Sequence, residues 1–405
     1  MTEIDNKDDD VGVDNQALLE FVGNFPIPPV NKASMRHKSG IRRSCFFPVY
    51  APYVQMLKLH NHYLKPNVFS GTEKEYWCIR NAAGLLDVTG EEVIAVEGPD
   101  ALRLMNSLVP RDLEKLPDGK AMYCVMCYDH GGIVEDGILI RFDQNKFWWV
   151  GGPGYSEQWI YVHSLELDVS VQGHNDSLHV ASLQGPRSRE ILNAVSDINI
   201  DSMPVFGLAE GIICGVSATL TRTGYTAELG YDIYVDVCTG EKLFAGLLRE
   251  VRDRDGDLCG SASLNLRRMD AAILNFTEDF DWQHTPFDVG LTWMVDFDKP
   301  VDFTGRRALE QRANRPPEKK LVGLHLDETV PLDAGIDLVV DGRVVGEITS
   351  ATRSPTLKRK LGLGWLETAY AAPGSTVQAA IGDGYADVIV VKRPFLDAKR
   401  ELMRA

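Results

Sequence analysis

The sequence lacks any long apolar run, and no stretch approaches the 18 residues that a membrane span requires. Its first ten residues, MTEIDNKDDD, have none of the hydrophobic core of a secretory signal. Positive charge is scarce, because 42 Lys and Arg stand against 58 Asp and Glu for a net charge of −16. Such a balance disfavours nucleic acids and anionic membranes as partners. We therefore expect neither nucleic acid nor a membrane as a partner, and the sequence leaves homo-oligomer formation open.

Cysteine is also scarce, with seven residues scattered along 405 positions. An odd number of dispersed cysteines is typical of a reduced, cytoplasmic chain. A single CxxC motif, Cys124-Val-Met-Cys127, lies in an apolar, strand-like run. Residues i and i+3 of a strand point to opposite faces, and no second CxxC or histidine pair follows at zinc spacing. The sequence therefore predicts no metal site.

Several widespread catalytic motifs are missing. The chain has no GxxxxGK[ST], no GxSxG, no HExxH, and no GxGxxG after a strand. Phosphate-loop nucleotide binding, serine-triad hydrolysis and zinc hydrolysis are therefore disfavoured. At roughly 150 residues per domain, the length itself predicts two or three domains.

Composition shifts divide the chain into three parts. Residues 1–36 are polar and acidic and predict a flexible N-terminal segment. Strand-like and helix-like runs alternate over residues 37–313, which predicts two intertwined α+β domains. The polar stretch Asn314-Arg315-Pro316-Pro317 marks a boundary. Residues 314–405 are β-rich, with a hairpin signal at Asp341-Gly342, and predict a small barrel or sandwich.

A strand–Gly-Pro–helix pattern occurs twice in the α+β region. The β-branched residues 93–96 precede Gly98-Pro99 and an amphipathic stretch, and residues 179–183 precede Gly185-Pro186 and a similar stretch 87 positions later. The repeat indicates two related α+β units rather than one extended sheet. Chance recurrence of a common strand–turn–helix element is the alternative.

Two groups of acids lie beside glycines in otherwise apolar or aromatic surroundings. Glu135 and Asp136 follow a Gly-Gly turn within residues 131–140, and Glu228 and Asp232 follow glycines within residues 223–234. A buried carboxylate needs a cation, a hydrogen-bond donor or a proton, because burial without one is costly. The first pair is therefore a candidate ligand-binding site, or else pairs with Arg or backbone amides. The second pair can accept hydrogen bonds from an amino-heterocycle, or else consists of turn acids in solvent.

The order of several short segments resembles the glycine-cleavage T-protein family of aminomethyltransferases and folate-dependent methyltransferases. The segments are Asp87-Val88-Thr89, Glu97-Gly98-Pro99-Asp100-Ala101, Gly119-Lys120-Ala121-Met122-Tyr123, residues 131–136, Leu183-Gln184-Gly185-Pro186, Gly224-Tyr225-Thr226, Arg268-Met269-Asp270, residues 285–291, Asp302-Phe303-Thr304-Gly305 and residues 354–358. Within the family, residues 60–66 and 146–149 are most similar to tetrahydrofolate-dependent demethylases such as dimethylsulfoniopropionate demethylase. Leu264 and Asn265 stand where aminomethyltransferases carry Arg-Asp.

The resemblance implies an α+β fold with three domains around a central folate hole, a β-rich C-terminal barrel, and tetrahydrofolate as the cofactor. It places Asp136 beside the reactive folate nitrogen and Tyr123 in the folate pocket as catalytic and cofactor-binding residues. Glu228, Asp232 and Tyr234 are the other expected cofactor-binding residues.

Three positions near the expected pocket depart from the family pattern. Ala227 and Thr277 stand where the family has glycine. Asp232 stands where the family usually has a pterin-binding glutamate.

The remaining site predictions concern the methyl donor. His60, His62 and Tyr63 are candidates for a general acid, which an aryl ether needs and a sulfonium or ammonium donor does not. A structural role is the alternative for each histidine. The expected substrate pocket contains residues of the 60–66 segment and three tryptophans that suit a cation or an aromatic ether: Asn61, Tyr63, Trp148, Trp149 and Trp282. Ordinary core and surface packing is the alternative for the tryptophans.

The sequence thus predicts an enzyme, a tetrahydrofolate-dependent demethylase that moves a methyl group from a small sulfonium, ammonium or aryl methyl ether donor to folate N5. The alternative is an aminomethyltransferase-type enzyme that forms 5,10-methylenetetrahydrofolate. A third class, non-catalytic folate-binding assembly proteins, carries a Lys-Gly-Cys-Tyr-type motif that is absent from this sequence.

Overall fold

The structure, a computed structural model, describes residues 41–152 and 154–405. The predicted flexible segment, residues 1–36, lies outside them. The strands are β1 (Arg42–Arg43), β2 (Met56–His60), β3 (Tyr63–Val68), β4 (Gly84–Asp87), β5 (Glu92–Glu97), β6 (Lys120–Cys127), β7 (Ile133–Asp143), β8 (Lys146–Gly151), β9 (Ser170–Gly173), β10 (Leu178–Gln184), β11 (Leu208–Ile213), β12 (Val216–Thr221), β13 (Gly230–Asp236), β14 (Asp257–Leu258), β15 (Lys319–Leu326), β16 (Ile336–Val340), β17 (Arg343–Ser354), β18 (Arg359–Glu367), β19 (Thr376–Ile381) and β20 (Gly384–Val391). The helices are α1 (Phe47–Tyr50), α2 (Thr72–Asn81), α3 (Ala101–Leu108), α4 (Ser156–Ser164), α5 (Ser188–Val195), α6 (Gly240–Arg252), α7 (Ser261–Asp270), α8 (Arg306–Ala313) and α9 (Glu401–Arg404).

The strands form three open sheets and a closed barrel. A three-stranded sheet has the order β1-β3-β2, a six-stranded sheet the order β11-β12-β13-β10-β4-β14, and a five-stranded sheet the order β6-β7-β8-β5-β9. The barrel runs β15-β18-β17-β16-β19-β20 and closes through pairing of β20 with β15. The predicted α+β fold with a β-rich C-terminal barrel is confirmed.

The two copies of the repeated pattern lie in different sheets. β5 and α3 belong to the five-stranded sheet and its core, whereas β10 and α5 belong to the six-stranded sheet and its core. Both Gly98 (φ 145°) and Gly185 (φ 131°) adopt positive φ, and a Cβ on either would lie within 2.5 Å of a backbone oxygen. Glycine is therefore required at both strand-to-helix turns, because they bring the chain against a neighbouring backbone.

A shared core holds the five- and six-stranded sheets face to face. Trp148 on β8 and Tyr234 on β13 meet there, with ring centroids 5.6 Å apart, and each side chain is almost fully buried. Val93 and Val180 belong to the same core. Burial of such large apolar side chains contributes roughly 1.5–3 kcal/mol each, so this core stabilises the relative placement of the two sheets.

The barrel packs against the α+β region through another core. Ile133 of β7, Met269 of α7 and Trp365 of β18 are buried together in it. Inside the barrel, Asp341 (φ 51°) and Gly342 (φ 75°) connect β16 to β17, the two positive φ values that a type I′ hairpin turn needs. The hairpin predicted at this dipeptide is therefore present.

The strand β6 separates the two cysteines of the CxxC motif. Cys124 belongs to the core under the five-stranded sheet, and Cys127 belongs to the core shared with the barrel. The alternation of a strand thus directs the two thiols to different cores. In the part of the chain that the structure describes, every helix is too short or too polar to traverse a bilayer.

Candidate active site

The three sheets, the helix α7 and the start of the segment after β20 surround one large cavity of about 1340 Å³. This volume exceeds the roughly 300–1,000 Å³ of a typical small-ligand site, so the cavity has room for a large cofactor together with a small second ligand. Its lining includes predicted site residues from three separate segments: His60, Tyr123, Asp136, Glu228 and Asp232.

Asp136 and Tyr123 form a hydrogen-bonded pair on the wall made by the five-stranded sheet. In the antiparallel pairing of β6 with β7, Tyr123 lies opposite Ile138, and Asp136 lies opposite Val125. The two residues are thus diagonal neighbours on one face, close enough for long side chains to meet. The Tyr123 hydroxyl donates to Asp136 Oδ2 over 2.7 Å.

Burial shapes the acid–base properties of this pair. Desolvation raises the pKa of Asp136 to about 6, although the hydrogen bond from Tyr123 opposes the shift. Burial, followed by the charge of Asp136, raises the pKa of Tyr123 well above its usual range. At neutral pH the pair is therefore a carboxylate held by a neutral phenol, which suits it to accept a hydrogen bond and to stabilise positive charge in the cavity.

The neighbouring acid, Glu135, points to the opposite face of β7. Its side chain is fully buried and accepts hydrogen bonds from Gly154 N (2.9 Å), from Trp149 Nε1 (3.4 Å) and from the hydroxyl of Ser156. Desolvation raises its pKa to about 8. Successive side chains of a strand point to opposite faces of the sheet. Asp136 therefore faces the cavity, whereas Glu135 anchors the glycine-rich segment after β8.

Asp232 lies on the wall made by the six-stranded sheet. Its Oδ1 accepts from Ser182 Oγ over 2.6 Å and its Oδ2 accepts from Thr223 Oγ1 over 2.6 Å. Desolvation raises its pKa and these hydroxyls oppose the shift. The structure thus presents a second recessed carboxylate, oriented by two hydroxyls, to the same cavity.

Glu228 lines the cavity but is engaged in a buried ion pair. Its carboxylate accepts from Arg267 Nη2 over 2.6 Å, and Arg80 Nη1 lies 3.3 Å from its Oε1. Arg267 also pairs with Asp270 of α7 over 2.9 Å. Glu228 therefore ties the loop before β13 to α7.

The hairpin β2–β3 forms another wall and contributes His60. Desolvation, followed by the charges of Lys65 and Lys58, lowers the pKa of His60 to about 3. The imidazole is therefore neutral near pH 7. His60 thus reaches the cavity as a neutral imidazole, and its role as a general acid stays a prediction.

The structure does not place three other predicted residues of this segment, Asn61, His62 and Tyr63, in the cavity lining. His62 is exposed, with φ of 67°, in the turn of the β2–β3 hairpin. Asn61 occupies the same turn, and its Nδ2 donates to the Gly90 carbonyl over 2.6 Å. Tyr63 is buried, and its hydroxyl donates to the Asn175 carbonyl over 2.7 Å. Alternation and the hairpin turn direct these side chains away from the ligand space.

The structure likewise places the three tryptophans and Tyr234 outside the cavity lining. Trp148 and Tyr234 fill the core between the two large sheets, and Trp149 is fully buried beneath the five-stranded sheet. Trp282 is 55% exposed, and its carbonyl oxygen lies 3.0 Å from His130 Nε2. Packing, the alternative considered for these aromatics, accounts for Trp148 and Trp149.

Several cavity residues were not predicted from the sequence. The cavity also contains Lys58, Lys65 and Glu91, as well as the two α7 residues Leu264 and Asn265. The alternation of Lys58 with His60, and of Lys65 with Asn67, is a signal that would have placed both lysines on one face of a hairpin. Glu91 carries no comparable signal, because it comes from the short connection between β4 and β5.

Two residues that stand where the family pattern has glycine adopt a strained backbone conformation. Ala227, which lines the cavity, has φ of 56°, and Thr277, just beyond the lining residue Phe276, has φ of 71°. Left-handed backbone is uncommon for a non-glycine residue and is an outlier for a β-branched one. The chain thus keeps the backbone conformation that glycine would favour while carrying other residues there.

The donor set of the cavity fits a reduced pterin. Asp136 and Asp232 offer carboxylate oxygens for the amino and ring N–H groups of such a heterocycle, and the aromatic side chains of Tyr123, Tyr225 and Phe206 line the same space. Among the described residues, no cluster of side chains is suited to hold a metal ion.

Comparison with known proteins identifies the family. Residues 30–299 match the family model described as GCVT N-terminal domain, and residues 319–397 match the glycine cleavage T-protein C-terminal barrel domain. Together the two models cover most of the chain. The chain therefore belongs to the glycine-cleavage T-protein family, which confirms the resemblance and, with it, tetrahydrofolate as the cofactor.

Individual relatives support the same assignment. The chain is 31% identical over 333 residues to an aminomethyltransferase of Thermotoga petrophila, with 82% of this chain and 91% of the relative covered. It is 34% identical over 346 residues to an aminomethyltransferase of Symbiobacterium thermophilum, with 82% and 90% covered. The crystal structure of the glycine cleavage system aminomethyltransferase T of Bartonella henselae shares the fold, with a TM-score of 0.83 at 23% identity, and covers 88% of this chain and 99% of that one. The chain is thus a folate-dependent enzyme of the transferase type.

Proposed function

We propose that the protein is a tetrahydrofolate-dependent demethylase that transfers a methyl group from a small methylated donor to folate N5. The observation that carries the proposal is the Tyr123–Asp136 pair on the wall of a cavity large enough for cofactor and donor together. Tetrahydrofolate, when bound, supplies the nucleophilic nitrogen. Holding both reactants in one cavity replaces a bimolecular encounter and lowers the barrier by up to several kcal/mol.

Asp136 has two tasks in this proposal. The Tyr123 hydroxyl engages Oδ2, so we expect the ligand to meet the other carboxylate oxygen. Above pH 6 the carboxylate is ionised and stabilises the positive charge that develops at the nitrogen during attack. It also accepts the proton released when the new carbon–nitrogen bond forms, while the electron pair of the broken bond leaves with the sulfur, nitrogen or oxygen of the donor.

The composition of the α7 wall supports methyl rather than aminomethyl transfer. Leu264 and Asn265, which stand where the aminomethyltransferase pattern has Arg-Asp, both line the cavity. The departure therefore lies at the site itself rather than on a remote surface. An apolar side chain and an amide there remove one cation and one anion from the wall that an aminomethyl donor would meet.

Aminomethyl transfer that forms 5,10-methylenetetrahydrofolate is the second candidate. The two relatives described above are both named aminomethyltransferases, and the family match spans both regions of the chain. The same carboxylate would then orient the folate nitrogen toward an aminomethyl or methylamine donor. The two candidates differ in the donor and in the oxidation level of the folate product.

The experiment that separates them identifies the folate product. The protein is incubated with tetrahydrofolate and a panel of methyl sulfonium, methyl ammonium, aryl methyl ether and aminomethyl donors, and the folate species are separated by mass. We expect 5-methyltetrahydrofolate from at least one methyl donor, with little product from the Asp136→Asn variant. Methylenetetrahydrofolate from an aminomethyl donor alone would establish the second candidate, and no methylated folate from any donor would refute the first.

We also propose a cytoplasmic location. All seven cysteines lie among the described residues, and each is a free thiol. Three of them, Cys45, Cys124 and Cys127, have a pKa raised by burial and are therefore held as neutral thiols. Such a set is typical of proteins in a reducing compartment.

A further inference from the structure

Two lysines face the cavity from directly opposed positions of the β2–β3 hairpin. Lys58 on β2 pairs with Lys65 on β3 in the antiparallel register, so their side chains leave the same face of the hairpin. Both line the cavity, and so do His60 and Asn67, which alternate with them. Like charges placed opposite each other destabilise a strand pair, so this arrangement is costly unless a negative group lies between them.

Lys65 is the more informative of the two because it is almost fully buried, with 5% of its surface exposed. Within the described ranges, its ammonium makes neither a hydrogen bond nor an ion pair within 4 Å. Burial and the charge of Lys58 lower its pKa, whereas Asp87 and Glu91 act on it from a greater distance and raise it. An ammonium buried at a cavity wall without a close counter-charge is unfavourable, and an anion entering the cavity would relieve it.

The carboxylates nearest to Lys65 do not fill this role. Asp87 is buried and accepts hydrogen bonds from Ser44 Oγ (2.6 Å), Tyr50 OH (3.1 Å) and its own neighbour Thr89 N (3.0 Å). Glu91 lines the cavity, and burial raises its pKa to about 7, so at neutral pH it carries only part of a negative charge.

The neighbouring segments differ in charge, because Glu278, which follows α7, lines the cavity. Burial lowers the pKa of Lys58, and the charge of Glu278 opposes that shift. The lining residues of α7 are uncharged: Ser261, Ala262, Leu264 and Asn265. His60 is neutral, because its pKa is held at about 3. The hairpin therefore brings two lysines to the cavity, and Lys65 is the buried one that has no counter-charge within 4 Å among the described residues.

We propose that Lys58 and Lys65 form a subsite for an organic carboxylate in the cavity. A carboxylate between the two ammonium groups would accept charge-assisted hydrogen bonds from both and remove their mutual repulsion. Two ligands of the proposed reaction can carry that group: a methyl donor that is itself a carboxylic acid, and the glutamyl tail of folate. The inference rests on the proposed function for the identity of these ligands, and on the lysine pair alone for the subsite.

The test compares ligands that carry a carboxylate with counterparts that lack it. Dissociation constants are measured by calorimetry for 3-methoxybenzoate against 3-methoxybenzamide, for glycine betaine against its amide, and for tetrahydrofolate against 6-methyltetrahydropterin, which lacks the whole p-aminobenzoyl-glutamyl tail. The proteins are wild type, Lys65→Met, Lys58→Met, and Lys74→Met as a matched control on the exposed face of α2. Methionine keeps the unbranched stem of lysine and removes the charge.

We expect Lys65→Met to weaken the carboxylate member of one pair by about 10- to 100-fold and to leave its neutral counterpart unchanged. Lys58→Met, at an exposed position, should weaken the same member several-fold, and Lys74→Met should change nothing. A loss confined to the benzoate or betaine pair assigns the subsite to the donor, and a loss confined to tetrahydrofolate assigns it to the folate tail.

The proposal is overturned if both lysine variants bind the charged and neutral members of every pair in the wild-type ratio. Binding does not require turnover, so the subsite and the reaction fail separately. If Lys65→Met weakens binding of the carboxylate ligand but no donor yields methylated folate, the demethylase is refuted and the subsite is retained. If methyl transfer is normal but the lysine variants keep the wild-type ratio of carboxylate to neutral-ligand affinity, the subsite is refuted and the demethylase is retained.

Discussion

At the scale of single residues, Asp136 determines how the proposed reaction depends on pH. Burial raises its pKa to about 6, and the charged carboxylate is the form that stabilises a developing cation. We therefore expect kcat/KM for methyl transfer to be constant above about pH 7 and to fall tenfold per unit below pH 6. A rate profile between pH 5 and pH 9 measures this.

The same profile for two variants tests the assignment. Asp136→Asn should lower kcat/KM by about 100- to 10,000-fold and abolish the decline below pH 6. Asp129→Asn, an exposed aspartate just before β7, should leave both rate and profile unchanged. A wild-type profile that stays flat down to pH 5 would remove Asp136 from this role.

Thr277 lowers the stability of the fold through backbone strain. Its backbone has φ of 71°, a left-handed conformation that disfavours a β-branched side chain by roughly 1–2 kcal/mol. Glycine removes this strain but loses part of the gain to its greater freedom in the unfolded chain. We expect Thr277→Gly to raise the free energy of unfolding by about 0.5–1 kcal/mol, measured by urea denaturation. Thr277→Ala keeps the left-handed strain and should gain less; equal stability of all three proteins would argue against strain at this position.

At the scale of elements, the loop between β12 and β13 depends on Gln184. The amide Nε2 of Gln184 donates to Ser182 Oγ (2.9 Å) and to the Thr223 carbonyl (3.1 Å), and its Oε1 accepts from Thr226 Oγ1 (2.7 Å). A Cβ on Gly230 would lie 2.2 Å from Gln184 Oε1. The buried amide of Gln184 thus positions the loop that carries Glu228, and it packs too closely against Gly230 to admit a side chain there.

Gly230→Ala should therefore displace Gln184 and loosen this loop. We expect the free energy of unfolding to fall by about 1–3 kcal/mol and the dissociation constant for tetrahydrofolate to rise, as measured by denaturation and by calorimetry. Gly384→Ala is the matched control, since a Cβ there would meet nothing closer than 3.8 Å. Wild-type folate affinity in Gly230→Ala would show that the loop does not depend on the packing of Gln184.

At the scale of the whole molecule, one buried network joins the α+β region to the barrel. Asp279 accepts from Arg268 Nη1 of α7 over 2.6 Å and from Ser350 Oγ of β17 over 2.6 Å, and its carbonyl accepts from Trp365 Nε1 of β18 over 2.9 Å. Arg268 and Asp279 are both almost fully buried. The network therefore links the cavity-lining helix to two barrel strands.

Asp279→Ala should remove the buried counter-charge of Arg268 and leave only the more exposed Glu278 as its ionic partner. We expect a loss of about 3–5 kcal/mol in the free energy of unfolding, measured in guanidinium chloride. Glu278→Gln is the control, because Glu278 pairs with the same arginine but its side chain is 55% exposed, so it should cost less than about 1 kcal/mol. If the two variants lose similar amounts of unfolding free energy, the burial of the Arg268–Asp279 ion pair does not contribute to stability.

Local chemistry of the chain was sufficient to predict the α+β class, the β-rich C-terminal part, the Asp341-Gly342 hairpin and the acids that face the cavity. These features depend on neighbours in sequence: a period of two, a Gly-containing turn, or a carboxylate in an apolar run. The same local information placed Tyr123 and Asp136 in adjacent strands but did not reveal the hydrogen bond between them.

The arrangement of the cavity depends on how separate elements pack. Trp148 and Tyr234 looked suited to a ligand pocket, yet the facing of two sheets buries them against each other. Lys65 was not predicted as a site residue, yet the register of a hairpin and the approach of α7 leave it buried at the cavity wall beside Lys58. The burial and the charge environment of a side chain depend on residues that are distant in sequence. The positions of Trp148, Tyr234 and Lys65 relative to the cavity are therefore decided only by the tertiary structure.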